Sequence, residues 1–191
     1  MADSNITKRA LASALKELMA EIPFDKINVS HICDKCGMNR KSFYYHFKDK
    51  YDLVNWIYDT EFIDLANKRD YGTEWNFLED LCDYLGEHKE FYRRALKIKG
   101  QNSFSDHFTE LLQPIIAEQL REIWGNKMVN FYVLFFTDAL VGTIKRWIIE
   151  MDDISSDEFM ALLKSCIEQV ATKVYRDMNA NDKATFVHEE S

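Results

Sequence analysis

The sequence has few of the residues that make tight turns, with only 6 glycines and 2 prolines in 191 residues. A sheet of many strands needs such residues at short intervals, so their scarcity excludes that architecture and favours helices. The first ten residues contain no apolar run of the kind found in secretory signal peptides. No uncharged stretch reaches the roughly 18–20 residues that a membrane-spanning helix requires. We therefore expect an all-α protein that is cytoplasmic and not associated with a membrane.

The common catalytic motifs are also missing. There is no glycine-rich phosphate loop, no G-x-S-x-G and no H-E-x-x-H. The five histidines, at positions 31, 46, 88, 107 and 188, accompany no obvious nucleophile. We assign no catalytic residue, no metal ligand and no cofactor, and we expect that the protein is not an enzyme.

Two of the four cysteines, Cys33 and Cys36, form a C-x-x-C pair. Such a pair indicates redox chemistry, half of a zinc site, or two small core residues. A structural zinc ion needs four ligands, and no second C-x-x-C or H-x-x-x-H is present. We favour the core interpretation and expect no disulfide, which also agrees with a cytoplasmic location.

Charge is distributed unevenly along the chain. Residues 1–50 hold 9 Lys and Arg against 6 Asp and Glu, a net charge of +3, whereas residues 51–191 hold 15 against 26, a net charge of −11. A basic N-terminal part on an acidic protein fits nucleic-acid binding confined to that part. An excess of three charges is also compatible with an ordinary surface, so the motifs must decide.

The spacing of residues 29–47 predicts two short helices joined by a turn. Val29, Ile32, Cys33 and Cys36 share one helical face, and Ser30 stands where an N-cap is expected. Gly37 follows this face, at a position where a helix ends in a left-handed residue. The second helix has Asn39 as its predicted N-cap, and its buried pair is Phe43 and Phe47. The result is a helix-turn-helix.

The polar side chains of the second helix lie on the face opposite Phe43 and Phe47. Short polar and guanidinium side chains read base edges, whereas Lys, Tyr, Ser and helix N-termini hold phosphates. The expected base contacts are Asn39, Arg40, Lys41 and Ser42. The expected phosphate contacts are Ser30, Tyr44, Tyr45, His46 and Lys50. The competing interpretation of each is a solvated or capping residue, and it has most weight for Asn39 as a cap and His46 as a packed ring.

Residues 32–53, ICDKCGMNRKSFYYHFKDKYDL, resemble the TetR-type DNA-binding domain, whose usual pattern is I-A-x-x-A-G-V-S-x-x-T-F-Y-x-Y-F-x-x-K-x-x-L. Asn39 replaces the usual Ser and Lys41 a frequent Gly, so the resemblance transfers no base preference. It implies a three-helix helix-turn-helix head at 1–50, a helical effector-binding and dimerisation domain at 51–178, and a tail at 179–191 that we expect to be disordered. It also implies a homodimer on a double-stranded DNA operator, which agrees with the doubling of a short site by two-fold symmetry.

Periodicity predicts further helices along the chain. Residues 1–5 are expected to be frayed, a restart or kink is expected at Pro114, and a turn is expected at Gly125-Asn126. The predicted helices are Thr7–Met19, Asp49–Lys68, Glu74–Glu87, His88–Lys97, Phe104–Trp124, Lys127–Met151 and one that Ser155 or Ser156 caps. The resemblance implies that Asp49–Lys68 passes the state of an effector to the DNA-reading helices.

The segment Lys127–Met151 is apolar on most sides, which predicts burial in the core or between subunits. Gly142 lies in its middle, where another backbone can approach closely. Asp138 interrupts it and either binds a ligand or, as we favour, meets a partner chain or a buried cation or tyrosine. The resemblance implies that the last two helices form a four-helix dimer interface.

An effector cavity is expected among the middle helices if the effector is a small molecule. Aromatic residues at helical spacing are more often plain core than cavity wall, and we favour that interpretation for the candidate wall residues. These are Tyr84, Phe91, Tyr92, Phe108, Trp124, Phe135 and Trp147. HKEFYRRAL and FYVLFFTDALVGTIKRWI resemble the TetR-type subgroup of dihydroxyacetone-kinase regulators, in which the signal can come from a protein co-regulator. The alternative from another class is a helical interaction module whose head docks a protein.

Overall fold

A computed structural model describes residues 2–71, 74–98, 103–124, 130–170 and 173 of the chain. The regular elements in these ranges are all helical, and no β-strand occurs within them. The expected all-α fold is therefore confirmed. None of the helices in the described ranges is both long and apolar enough to cross a membrane.

The helices differ widely in length, from 3 to 21 residues. The first elements are α1 (Ala2–Glu21), a 3₁₀ turn (Phe24–Lys26), α2 (Val29–Lys35), α3 (Arg40–His46) and α4 (Lys50–Tyr58). Helix α4 continues into a π-helical turn (Asp59–Ile63) and the short α5 (Asp64–Ala66). The later elements are α6 (Glu74–Glu87), α7 (Lys89–Leu96), α8 (Phe104–Trp124), α9 (Asn130–Glu150) and α10, residues 156–170.

Two helix starts differ from the sequence-based expectation. Helix α1 already begins at Ala2, so residues 2–5 are helical and not frayed. Helix α2 is capped by Asn28 and not by Ser30, which is the second residue of the helix. The Asn28 side chain accepts a hydrogen bond from the backbone N–H of His31 at 2.9 Å, and His31 Nδ1 accepts the backbone N–H of Asn28 at 3.4 Å. This reciprocal pair satisfies two backbone donors at once, which a cap at Ser30 would not do.

The two long helices expected around residues 60 and 114 also differ from their predictions. The predicted Asp49–Lys68 helix forms, but it contains the π-helical turn. Helix α8 runs through Pro114, so the predicted restart is wrong, while the kink, the other alternative there, stays a prediction. The predicted turn at Gly125-Asn126 and the predicted tail at 179–191 lie outside the described residues.

One hydrophobic core extends from the N-terminal helices into the rest of the chain. Its first part holds Leu11, Leu15, Ile32, Phe43 and Leu53, all of which are fully buried. Its second part is a cluster of rings in stacked, tilted or edge contact, with centroids 5.2–6.5 Å apart. The ring cluster consists of Tyr58, Phe62, Tyr84, Tyr92, Phe104 and Phe108. It joins α4 and the π-helical turn to α6, α7 and α8.

Cations of α7 hold the end of α9. Lys89 Nζ donates to the Met151 carbonyl at 2.6 Å, and Arg93 Nε donates to the Ile148 carbonyl at 3.0 Å. These bonds satisfy carbonyls that the last helical turn leaves without a partner. Trp147 then fixes the next helix, because its indole stacks on Phe159 at 4.6 Å and donates to the Ile154 carbonyl at 2.9 Å.

Candidate nucleic-acid interface

The turn between α2 and α3 has the geometry that the sequence predicts. Gly37 has a φ of +67°, a left-handed backbone conformation that is energetically unfavourable for residues with a Cβ. The turn closes with a hydrogen bond from the Met38 N–H to the Cys33 carbonyl at 2.9 Å. This arrangement redirects the chain from α2 into α3 within four residues, as a helix-turn-helix requires.

One face of α3 is anchored in the core. Phe43 is fully buried and Phe47 nearly so, with their ring centroids 5.8 Å apart. Phe47 also meets the indole of Trp56 on α4 in an edge contact at 5.7 Å. These contacts fix the rotation of α3 about its axis and therefore determine which side chains point outward.

The opposite face of α3 carries exposed polar side chains. Arg40 and Lys41 are exposed, and Tyr44 and Tyr45 keep 51% and 82% of their surface accessible. Among the residues that the structure describes, neither Arg40 nor Lys41 takes part in an ion pair. By contrast, Lys35 lies 3.2 Å from Glu17 and 3.6 Å from Glu21, and its hydrogen bond to Glu17 raises its pKa. Arg40 and Lys41 are therefore available to an outside anion, whereas Lys35 is already paired.

Two of the predicted base contacts are already engaged with each other. The Asn39 side chain caps α3 by accepting the backbone N–H of Ser42 at 2.8 Å. The Ser42 hydroxyl donates to the same oxygen at 3.2 Å. The predicted cap at Asn39 is confirmed, and both side chains stand at the N-terminal end of α3 beside Arg40.

The predicted phosphate contacts Ser30 and His46 are half-exposed. Ser30 lies in the first turn of α2, a position where backbone N–H groups favour an anion. His46 ends α3, and its ring lies between those of Tyr45 at 4.9 Å and Phe47 at 6.4 Å. These rings place His46 at the border between the core and the outward face.

Lys50 turns toward the protein and not outward. Its Nζ donates to the carbonyls of Phe24 at 2.7 Å and Ile27 at 2.6 Å, and it lies 4.3 Å from the Phe24 ring centroid. Burial lowers the pKa of the amine, while the charges of Asp25 and Asp49 oppose that effect. Lys50 thus ties the start of α4 to the segment between α1 and α2. Its predicted phosphate contact would compete with these bonds.

Two side-chain caps and one lysine also position the elements around α3. Asp49 caps α4 by accepting the N–H groups of Tyr51 and Asp52 at 2.8 Å each. The capping pair of Asn28 and His31 was missed, although an Asn three residues before a side chain that can bond back was visible as a signal. Lys8 Nζ lies 5.7 Å from the centroid of the Trp56 ring and 5.9 Å from that of the Phe47 ring. It thereby covers the back of α3.

The cysteine pair behaves as small packing residues. Cys33 is buried, and Cys36 is half-buried with its thiol donating to the Ile32 carbonyl at 3.3 Å. Burial raises the pKa of both thiols, which disfavours the thiolate that redox or metal chemistry needs. The core interpretation of these two residues is confirmed for Cys33 by its burial.

Family models match most of the chain. The model described as bacterial regulatory proteins, tetR family, matches residues 11–57, which include α2, the turn and α3. The model described as transcriptional regulator C-terminal region matches residues 73–169, which include α6 to α9.

Individual relatives agree with these matches. The chain is 28% identical over 155 residues to the HTH-type dhaKLM operon transcriptional activator DhaS of Lactococcus lactis subsp. lactis (strain IL1403), covering 78% of this chain and 83% of that protein. The structure of a dihydroxyacetone kinase operon activator DhaS superposes with a TM-score of 0.61 at 22% identity, covering 90% and 97% of the two chains. A TetR transcriptional regulator from Streptococcus agalactiae 2603V superposes with a TM-score of 0.67 at 19% identity, covering 87% and 96%.

Proposed function

The chain belongs to the TetR family of bacterial transcriptional regulators, and on that premise we propose that it binds a two-fold symmetric DNA operator as a homodimer. In this proposal, residues 1–50 form the DNA-binding head and residues 51–178 the helical body. An effector that acts on the body controls the affinity of the head for DNA.

The observation that carries this proposal is the division of α3 into two faces. Phe43 and Phe47 lock one face into the core, so the other is held rigidly outward. That outward face has two cations without an acidic partner in the described ranges and two exposed phenols. A rigid helix with this chemistry fits the major groove, where guanidinium and ammonium groups pair with guanine and phenols reach phosphates.

Within this face we assign the base contacts to Arg40 and Lys41, the exposed cations at the start of α3. Asn39 and Ser42 remain proposed base contacts, and their shared cap hydrogen bonds orient both side chains beside Arg40. The proposed phosphate contacts are Ser30, Tyr44, Tyr45, His46 and Lys50. For Lys50 the proposal requires that the amine also reach a phosphate from its place over the Phe24 carbonyl.

The homodimer is supported by the apolar outward face of α9. Phe131, Leu134 and Phe135 keep 66%, 49% and 56% of their surface exposed within one chain. Leu162 and Val170 on α10 are also exposed. Exposed apolar patches of this kind mark interaction surfaces, and a four-helix contact with a second copy would bury both helices.

Gly142 and Asp138 lie on the same side of α9. Both are exposed, and a Cβ built on Gly142 would meet nothing within 4 Å in the protomer. The space there is open to another backbone, as expected for the crossing point of a symmetric helix pair. Asp138 would then face the partner, which is the interpretation that we favour over a ligand contact.

The source of the effector signal has two candidates, a small molecule and a protein co-regulator. Tyr58, Tyr92, Phe104 and Phe108 are almost fully buried against one another, so the middle of the body is filled at this point. Of the expected wall residues, Tyr92, Phe108 and Trp147 are buried core, whereas Phe135 is exposed on α9. The filled core supports the alternative that a partner protein regulates the chain from its surface.

The test of DNA binding begins with selection of sites from a random DNA pool. The selected site is then titrated by fluorescence anisotropy at several salt concentrations. A dimer with about 6–10 phosphate contacts should select a two-fold symmetric site and lose roughly 10³–10⁵ in affinity between about 50 and 200 mM salt. Absence of an enriched site together with a flat salt dependence would contradict the proposal and favour a protein-docking head.

A further inference from the structure

A groove lies between α1, the segment from α4 to α5, and α6. Its volume is about 690 Å³, which is within the range of small-molecule sites. It is separate from the outward face of α3 and from the apolar face of α9. The lining residues are Arg9, Ser13, Lys16, Trp56, Thr60, Glu61, Leu65, Tyr84 and His88.

The groove has one cation that is not already neutralised. Lys16 Nζ donates to both carboxylate oxygens of Glu61, at 2.6 and 2.5 Å. Tyr84 donates to the same carboxylate at 3.1 Å, and its hydroxyl lies 2.7 Å from that of the buried Tyr92. Arg9 is exposed, and no ion pair joins it to another residue that the structure describes. In a chain with a net charge of −8, this leaves a local positive site.

The walls beside Arg9 supply apolar surface. Trp56 is half-buried, and Leu65 keeps 55% of its surface exposed although it is a large aliphatic residue. Ser13 and Thr60 also line the groove, and each carries a hydroxyl that can hydrogen-bond a ligand. A groove lined by these apolar side chains and one unpaired guanidinium is complementary to a molecule with one negative charge and an apolar body.

We propose that this groove binds a small organic monoanion, such as an aromatic carboxylate. Its carboxylate pairs with Arg9, and its ring lies against Trp56 and Leu65. A second negative charge on the ligand would not increase its affinity, because Lys16 is already paired with Glu61 and the Glu61 carboxylate repels another anion. A ligand here would touch α1 in the head and α6 in the body at once. This inference concerns binding to the protein alone and holds whether or not the DNA proposal is correct.

The test titrates full-length protein with 2-naphthoate and follows binding by calorimetry and ligand-observed NMR. Neutral 2-naphthamide removes the charge, inorganic phosphate removes the apolar body, and 2,6-naphthalenedicarboxylate adds a second charge. Arg9→Gln should weaken 2-naphthoate binding about 10- to 100-fold, because a charge-assisted hydrogen bond is lost. Leu65→Ser should weaken it several-fold. Both side chains are exposed, so neither change should disturb the fold.

The matched controls are Lys68→Gln, which removes an exposed cation outside the groove, and Ile6→Ser, which removes an exposed aliphatic on α1. Both should retain the wild-type affinity. Support for the site requires that 2-naphthoate bind more tightly than the amide and phosphate, and at least as tightly as the dicarboxylate. Absence of saturable binding up to about 10 mM would overturn the inference. Equal binding by the Arg9→Gln protein, or equal binding of phosphate and 2-naphthoate, would overturn it as well.

Discussion

Helices α3 and α9 each bury one face and expose the other, but the exposed faces differ in chemistry. On α3 the exposed side chains are cationic or phenolic, and on α9 they include Phe131, Leu134 and Phe135. Water solvates the polar groups on the exposed face of α3, so this face is stable in the absence of a charged partner. The second face exposes apolar surface that favours burial. The contrast supports our proposal of two different partners on one protomer, DNA at α3 and a second copy of the chain at α9.

The largest effect is expected from a charge placed on the apolar face of α9. We expect Leu134→Arg to raise the dimer dissociation constant by about 100-fold or more, because burying an unpaired charge costs several kcal/mol. Sedimentation equilibrium measures the constant directly. Leu65→Arg, also at an exposed leucine but away from α9, should leave the dimer intact. An unchanged dimer in the Leu134→Arg protein would place the subunit interface elsewhere.

The next largest effect is expected on sequence discrimination at α3. Lys41→Ala should reduce the preference for the selected site over random DNA by about 1–3 kcal/mol, since it removes a base contact. Competition anisotropy with both DNAs measures that preference. Lys48→Ala removes an exposed cation just after α3 and serves as the control. If Lys41→Ala weakened binding to both DNAs equally, Lys41 would be a phosphate contact.

A substitution at Lys50 tests whether this residue contacts DNA or only positions the DNA-reading helices. We expect Lys50→Met to lower the free energy of unfolding by roughly 1–3 kcal/mol, because the Phe24 and Ile27 carbonyls lose a charged donor. Urea denaturation measures this loss. If Lys50 serves only to hold the head together, the slope of log affinity against log salt should stay unchanged. A slope reduced by about 1 would instead show a phosphate contact.

The smallest expected effect concerns the phenol of Tyr44. Tyr44→Phe should weaken binding to selected and random DNA alike, by about 0.5–1.5 kcal/mol, because one neutral hydrogen bond to a phosphate is lost. Anisotropy titration with both DNAs tests it, and Tyr71→Phe in the body is a control of the same chemistry. A selective loss on the chosen site alone would assign Tyr44 to base recognition.

Much of the proposed DNA site could be predicted from local sequence. The left-handed Gly37, the buried Phe43 and the cap at Asn39 all depend on partners within a few positions along the chain. Their geometry is determined by a turn or by helical periodicity, which acts over such distances. The start of α2 shows the limit of this reasoning. Ser30 was predicted as its cap, but Asn28 caps it, because the His31 side chain also accepts the backbone N–H of Asn28.

By itself, the sequence determined the all-α class and the helix-turn-helix, because periodicity and turn chemistry are local properties. The family was recognised from the resemblance of residues 32–53 to the pattern of the TetR-type domain. Only the tertiary structure decided that Lys50 bonds carbonyls 23 and 26 residues away and that Lys16 pairs with Glu61, 45 residues away. It also decided that Phe135 faces outward while Tyr92 and Phe108 fill the core. An amphipathic pattern shows that a side chain has a preferred face. Which neighbour covers that face depends on how the helices pack, and packing joins residues that are distant in the chain.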